Sequence, residues 1–324
     1  MKTGISIAGL GQENQKKERR KNRCIVAIFM TPFFLNFILF FIVPVVLGFV
    51  ISFFRYNPYN FGETTFVGFK NYIDVFINPL LRSTFWEGMW TTIKFDLVAV
   101  PLMLIIPLGL AYLVYLEPPG YKIFRALIYL PTVVSISIVG IIFGAMFDGA
   151  STGLINAWLG TEIKWMDGTL RWFVILLASI WWQTGSNFVI LLAALKNVPK
   201  NLYEACEIDG GGRWNAILYV TLPNIKGTLE LCVFNTLIGY LGLYGQPTVL
   251  NSYLNQNDID SPMIFIQRWL NDFSKASLTG LVTASAIVFA MVVVFFTAIE
   301  KIIMKDRKGG KDKYERQFNL FVSD

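Results

Sequence analysis

Two runs in this chain combine residue types at spacings that could do chemistry, and in neither is that chemistry bond breaking. The first is 203–223, YEACEIDGGGRWNAILYVTLP, a polar island between two apolar stretches. Its Asp209-Gly210-Gly211-Gly212 run lacks the Lys-Ser/Thr pair that a phosphate-cradling loop needs, so it does not hold a nucleotide. It reads instead as two short helices about a hinge. Pro199 opens the first, where a missing N–H costs nothing. Glu204 falls in its first turn, where a negative charge suits the positive helix end. The glycines stop it by taking φ > 0. Trp214, Ile217, Leu218, Thr221 and Leu222 then recur at i, i+3, i+4, i+7, i+8, one face of a second helix that Pro223 ends or kinks. An amphipathic loop on a membrane surface has a similar composition. A helix–glycine hinge–helix with an apolar face, hung between apolar stretches, also suits docking against another protein.

The second run is 181–187, WWQTGSN. On a helix Trp182 and Ser186 share one face, and Gln183 and Asn187 share the next. Flat rings against C–H faces, with neutral amides and hydroxyls beside them, suit a sugar. Asn235, Tyr240 and Tyr244 extend the set, the two tyrosines again four apart. The same groups serve equally for helix–helix hydrogen bonding, and a Trp can anchor at a membrane interface, so these readings stay open. Gly239, Gly242 and Gly245 suggest a flexible or closely packed helix, and Pro101 and Pro107 suggest kinks. There is no histidine. Cys24, Cys206 and Cys232 have no metal-ligand spacing. Asp96, Glu230 and Glu300 sit near the ends of apolar stretches, where a carboxylate reaches water; for Glu230 a solvated helix-end charge is preferred to an ion pair. No catalytic residue, no metal site and no cofactor bound by this chain is expected.

The elements that must position these runs are membrane helices. Of 324 residues 54% are hydrophobic and only 15% charged, against roughly 25% charged in soluble domains. Residues 1–24 carry Lys16, Lys17, Arg19, Arg20, Lys21 and Arg23, but the apolar stretch that follows is too long for a signal peptide. Stretches at 25–54, 93–116, 124–147, 172–195, 229–250 and 281–304 are each long enough to span a bilayer. The chain thus divides into a basic N-terminal segment (1–24), a bundle (25–304) and a tail (305–324). With both termini inside, most of the 28 Lys and Arg fall inside. Positive charge collects on the cytoplasmic side, and the basic tail then anchors on an anionic leaflet rather than on nucleic acid. The expected fold is an all-α polytopic membrane protein of six transmembrane helices, with the loop 199–223 cytoplasmic, between the fourth and fifth.

The run 203–223 resembles the EAA loop of ATP-binding-cassette import permeases, roughly E-A-A-x-x-D-G-A-x(8)-I-x-L-P. Glu204, Ala205, Asp209, Gly210, Leu222 and Pro223 match. Cys206 and Gly211 replace alanines with other small residues, and Val220 replaces the Ile. Residues 66–72, FVGFKNY, resemble the FVGLxNY element of the carbohydrate-type subgroup, although an interfacial aromatic segment would read alike. The resemblance implies one permease subunit of an importer in the multi-pass bacterial plasma membrane. Its partners would be a second, different permease chain, two cytoplasmic ATPase subunits that hold ATP and Mg2+, and an external solute-binding protein. Glu204, Ala205, Asp209, Gly210, Gly211, Leu222 and Pro223 would couple to the ATPase. The helices flanking the loop would line a sugar or oligosaccharide path through Trp182, Gln183, Ser186, Asn187, Asn235, Tyr240 and Tyr244. No Lys or Arg lies mid-stretch, which favours a neutral cargo over a glycerol phosphodiester or phosphate ester. A secondary carrier would leave 203–223 unexplained, and a membrane enzyme would lack catalytic groups.

Overall fold

The computed structural model describes residues 21, 25–150, 153–251 and 261–322, with the side chains of 169, 251 and 303–322 outside the description. The basic cluster of 16–23, apart from Lys21, lies outside the described residues, as do Cys24 and most of the basic tail's side chains. Nearly everything described is helical. Among the described residues, five helices are long and apolar enough to cross a membrane: α1 (Ile25–Ile51), α3 (Pro79–Tyr115), α7 (Leu170–Lys196, within a helix that starts at Gly168), α9 (Arg213–Leu241) and α12, whose apolar part is Phe273–Ile302. A further candidate is a pair, α4 (Tyr121–Val133) and α5 (Ile136–Met146), bent by 98°. Shorter helices are α2 (Lys70–Ile77), α6 (Leu154–Leu159), α8 (Lys200–Ile208), α10 (Gly245–Asn251) and α11 (Pro262–Asn271). Within this helical membrane fold, a two-residue ribbon pairs Phe54 with Phe66 and Arg55 with Thr65.

Several helix limits depart from the apolar stretches. α3 starts at Pro79, well before 93, because Asn78 caps it by accepting from the Leu80 N–H at 3.0 Å. Its early turns bury Leu81, Phe85 and Met89 against Phe265, Trp269 and Val282 of α11 and α12. Hydropathy misses these turns because polar residues cover their other face. α3 passes Pro101 and Pro107 without interruption. The expected third span, 124–147, is the bent pair rather than one helix; Ser135 at the junction is extended, with ψ 145°. The fifth helix runs 213–241 rather than 229–250. It ends at Gly242, and 245–251 fold separately as α10.

Two of the prolines inside helices, Pro44 and Pro223, are absorbed in the same way. Ile38–Ile42 forms a wide π turn just before Pro44, and Ala216–Thr221 forms another just before Pro223. A proline in a regular helix clashes with the carbonyl four residues back and donates no hydrogen bond. A π turn widens the backbone at that point, so of the two outcomes expected at Pro223, an end or a kink, the helix does not end there and continues to Leu241.

The FVGFKNY element is a staple. Gly68, at φ +58°, turns the chain into α2. Asn71 is buried and donates to the Ser52 and Phe54 carbonyls at 2.8 and 2.9 Å, and the Tyr72 hydroxyl lies 2.6 Å from Ser52 Oγ. The two Asn71 bonds satisfy carbonyls left open just past the end of α1. Gly280 of α12 passes so close that a Cβ there would collide with the Phe54 carbonyl.

Candidate functional site

Segment 199–223 follows from its residues turn by turn. Pro199 is extended and stands at the N-cap position, so α8 begins at Lys200. Glu204 therefore lies beyond the first turn, not in it, and its charge gains little from the helix end. At the other end Gly210 takes φ +80°. Its N–H reaches the Glu207 carbonyl at 3.0 Å, and the Gly211 N–H reaches that of Cys206 at 2.8 Å. This is a left-handed glycine cap that satisfies the last carbonyls of α8. The three glycines have different jobs. Gly210 supplies the positive φ. Gly211 supplies space, since a Cβ there would stand 2.6 Å from Cys206 Sγ and 2.8 Å from the Cys206 carbonyl oxygen. Gly212 is extended with nothing within 4 Å of a Cβ.

The second helix does not show one apolar face. Because 216–221 is a π turn, Thr221 rotates inward, is buried, and lies 3.0 Å from the Tyr203 hydroxyl. Val220 and Ile225 join the cluster of Ala111, Val114, Leu191 and Leu195, which packs the segment onto the ends of α3 and α7. Turned outward are Ile208 at 86% exposure, Trp214 at 76% and Tyr219 at 75%. Glu204, Ala205, Asp209 and Gly210 are exposed beside them, while Gly211, Leu222 and Pro223 are half-buried. A groove of about 360 Å³ lies between Tyr112 and Tyr115 of α3 and Tyr203, Glu204 and Arg213 of the segment. Glu230, expected to be a solvated helix end, pairs with Lys226 at 3.7 Å one turn away.

The run 181–187 packs against the break between α4 and α5. A Cβ on Gly185 would collide with Thr132 Oγ1 and approach the Ile128 carbonyl to 2.9 Å. The bend frees carbonyls, and the Trp182 indole N–H donates to that of Val134 at 2.8 Å. Asn187 is buried and donates to the Met103 carbonyl at 2.9 Å and to Thr236 Oγ1 at 3.1 Å, tying α7 to α3 and α9. Tyr240 is 1% exposed, its ring 5.7 Å from that of Phe95. Ser186 and Asn235, the sequence neighbours of the linked Asn187–Thr236 pair, are exposed at the same level. Gln183 and Tyr244 are half-buried, Tyr244 lying beyond the end of α9. Of the three glycines near this end, only Gly245 shows close packing, with a Cβ 2.6 Å from Ile136 Cδ1; Gly239 faces open space.

Sequence reasoning missed Thr236, Val134 and Met103, whose roles depend on contacts between distant helices. It also placed Asp96 in reach of water. The carboxylate is 4% exposed, and among the described residues neither oxygen has a hydrogen-bond partner. The early start of α3, signalled by Asn78-Pro79, buries it.

Residues 102–308, from mid α3 into α12, match the family described as binding-protein-dependent transport system inner membrane component. The chain belongs to that family. This transport component is 33% identical over 230 residues to the arabinooligosaccharides transport system permease protein AraP of Bacillus subtilis (strain 168), covering 69% of this chain and 71% of the relative. It is 29% identical over 255 residues to the sulfoquinovosyl glycerol transport system permease protein SmoG of Agrobacterium fabrum, covering 74% and 81%. Its fold matches a chain in the crystal structure of a bacterial ABC transporter involved in the import of the acidic polysaccharide alginate. The TM-score is 0.70 at 21% identity, covering 90% of this chain and 99% of that one. It is a multi-pass inner membrane component, and a transport subunit rather than an enzyme.

Proposed function

We propose that this transport component is one of two permease subunits of an ATP-driven, binding-protein-dependent importer of sugars or oligosaccharides. The observation that carries the reading is the outward face of 199–223. Ile208, Trp214 and Tyr219 stand exposed next to Glu204 and the Asp209-Gly210 turn, on a segment anchored from behind by Tyr203 and Thr221. Exposed aromatic side chains on a firmly held element suit a protein partner. That partner is an ATPase subunit, which holds the ATP and Mg2+, and the segment is cytoplasmic, as are both termini. The α4–α5 pair counts as a sixth, broken span. The bundle is 25–304, flanked by the basic segment 1–24 and the tail 305–324.

ATPase closure would pull on α8, and Tyr203–Thr221 would pass the motion into α9. Two states with different affinity for ATP and for the loaded binding protein are needed for that coupling to drive transport. Ser186 and Asn235, with Gln183 and Tyr244 beside them, would meet the sugar. Trp182, Asn187 and Tyr240 would hold the wall in shape.

A second reading concerns the cargo. A relative named for sulfoquinovosyl glycerol brings in an anionic saccharide beside the neutral arabinooligosaccharides for which AraP is named. The test is ATP hydrolysis by the complex of this chain with its partner permease and ATPase, reconstituted with the binding protein and a panel of neutral and acidic sugars. Stimulation by one sugar class supports the importer and names the cargo. Uptake that persists after ATP depletion would overturn it in favour of a secondary carrier.

A further inference from the structure

The short helix α2 carries three stripes of different chemistry, each at helical spacing. Asn71 and Val75, four apart, are buried; Asn71 bonds the carbonyls just past α1, and Val75 packs with Leu281 and Val282 of α12. Lys70 and Asp74, also four apart, form a second stripe, Lys70 exposed and Asp74 half-buried. Ile73, Phe76 and Ile77, with Phe69 just ahead of the helix, form a third, and each is more than half exposed. Spacings of four, seven and eight turn this third stripe away from Asn71 and Val75. It contains no polar residue.

The level of α2 follows from α12. Gly280 passes against it, so that a Cβ there would stand 3.0 Å from the Asn71 amide nitrogen. From Gly280 to Glu300 the sequence holds no other charged residue. At about 1.5 Å per residue that stretch rises roughly 30 Å, the thickness of a bilayer's hydrocarbon core. Gly280 and Asn71 therefore stand at one boundary of the core and Glu300 at the other. The α2 boundary is the one remote from segment 199–223, because α3 starts beside α2 at Pro79 and ends at Tyr115 in the groove with Tyr203. The third stripe is also continuous with the exposed surface of a span. Phe49 and Val50 of α1 are exposed, the Phe49 ring lies 5.1 Å from Phe53, and Phe53 lies 5.3 Å from Phe69. At the other end the Phe76 ring is 5.2 Å from Trp86 of α3, whose indole N–H donates to the Val75 carbonyl at 2.8 Å. A helix at this level with protein on one side and charges on a second meets hydrocarbon on an apolar third. A protein interface would carry a polar rim, which this stripe lacks.

We propose that α2 lies in the membrane–water interface of the leaflet remote from segment 199–223, with Phe69, Ile73, Phe76 and Ile77 set among lipid acyl chains and Lys70 turned to water. Its docking surface is the lipid, not the external binding protein. The proposal needs only that the chain spans a membrane, so it stands or falls separately from the cargo and from the role of 199–223.

The experiment is photocrosslinking of the intact transporter complex in vesicles of phosphatidylethanolamine and phosphatidylglycerol, with and without the binding protein. Benzoylphenylalanine replaces Phe69, Phe76 or Lys70, one at a time. At the two phenylalanines one aromatic ring replaces another, and copurification of the partner chains reports assembly of each variant. After irradiation, peptides spanning α2 should gain the mass of a whole phospholipid several-fold more often from Phe69 and Phe76 than from Lys70. Adding the binding protein should leave those yields unchanged. Equal lipid yields from all three positions, or no lipid adduct from either phenylalanine, would overturn the proposal. Adducts to the binding protein or to the partner permease, or a lipid yield that falls when the binding protein is added, would also overturn it and assign the stripe to a protein.

Discussion

Segment 203–223 and run 181–187 are both polar interruptions in apolar sequence, and the fold uses them in opposite ways. In the first, Glu204, Asp209 and Trp214 are turned out, while Tyr203 and Thr221 hold the element from behind. In the second, Trp182 and Asn187 spend their N–H groups on this chain's own Val134 and Met103 carbonyls. On the proposed function, polar residues mark two kinds of place: where a helix bundle meets another molecule, and where it must repair its own broken backbone. In a bilayer the second need is severe, since no water is present to satisfy a freed carbonyl.

The largest expected effect separates the two regions most cleanly. Trp214→Ala should weaken association with the ATPase subunit by about thirtyfold, a loss of roughly 2 kcal/mol typical of an exposed aromatic anchor. The thermal stability of the permease itself should not change. A drop in melting temperature without loss of association would place Trp214 in this chain's own packing and erase the contrast.

Gly211→Val tests the hinge at somewhat lower cost. The new side chain meets Cys206 and should strain the turn by about 1–3 kcal/mol, cutting binding-protein-stimulated ATP hydrolysis several-fold. Gly212→Val, where the backbone is extended and the space open, should be near wild type. Equal damage from both would mean that flexibility, not close approach, is what the glycines provide.

In the other region Trp182→Phe keeps the ring and removes the donor. The orphaned Val134 carbonyl should destabilise the purified protein by about 1–2 kcal/mol, read as a lower unfolding temperature. ATP hydrolysis per folded complex should be unchanged. A shift in apparent sugar affinity with stability intact would return Trp182 to the substrate path.

The smallest effect lies outside both regions and serves as a baseline. Asp272 accepts from the Ser274 hydroxyl and backbone N–H at 2.6 and 3.0 Å and pairs with Lys275 at 3.1 Å. These contacts, the Ser274 hydroxyl foremost, hold its carboxyl below the usual carboxylate range. A lowered folded-state pKa adds stability that is present at neutral pH and lost as pH falls through that range. Protection of the amides in the 273–278 turn, with the intrinsic pH dependence of exchange divided out, should fall on acidification, and the response should be flat in Asp272→Asn.

Much of this could be read from the sequence because the membrane imposes simple rules. Long apolar stretches must be helices, and Asp209-Gly210 must end one. The hinge at 209–212 and the start of a second helix near Arg213 follow from local chemistry alone. The π turn before Pro223 does not. It depends on Val220 and Ile225 finding a packed site against α3 and α7, which makes it favourable for the helix to continue past the proline. The 98° bend between α4 and α5 is likewise invisible in 124–147, because hydropathy does not distinguish one straight helix from two short ones.

The sequence by itself determined that this is a membrane protein, that its long apolar stretches are largely helical, and that 203–223 stands apart. Those properties depend on transfer free energy and on backbone geometry, both carried by residues a few positions apart. Only the tertiary structure decided which polar side chains face outward. Trp182 and Ser186 share a helix face, yet one is bonded to Val134 and the other is exposed. Periodicity specifies a face of a helix, but a neighbouring helix determines which atoms on that face are already satisfied.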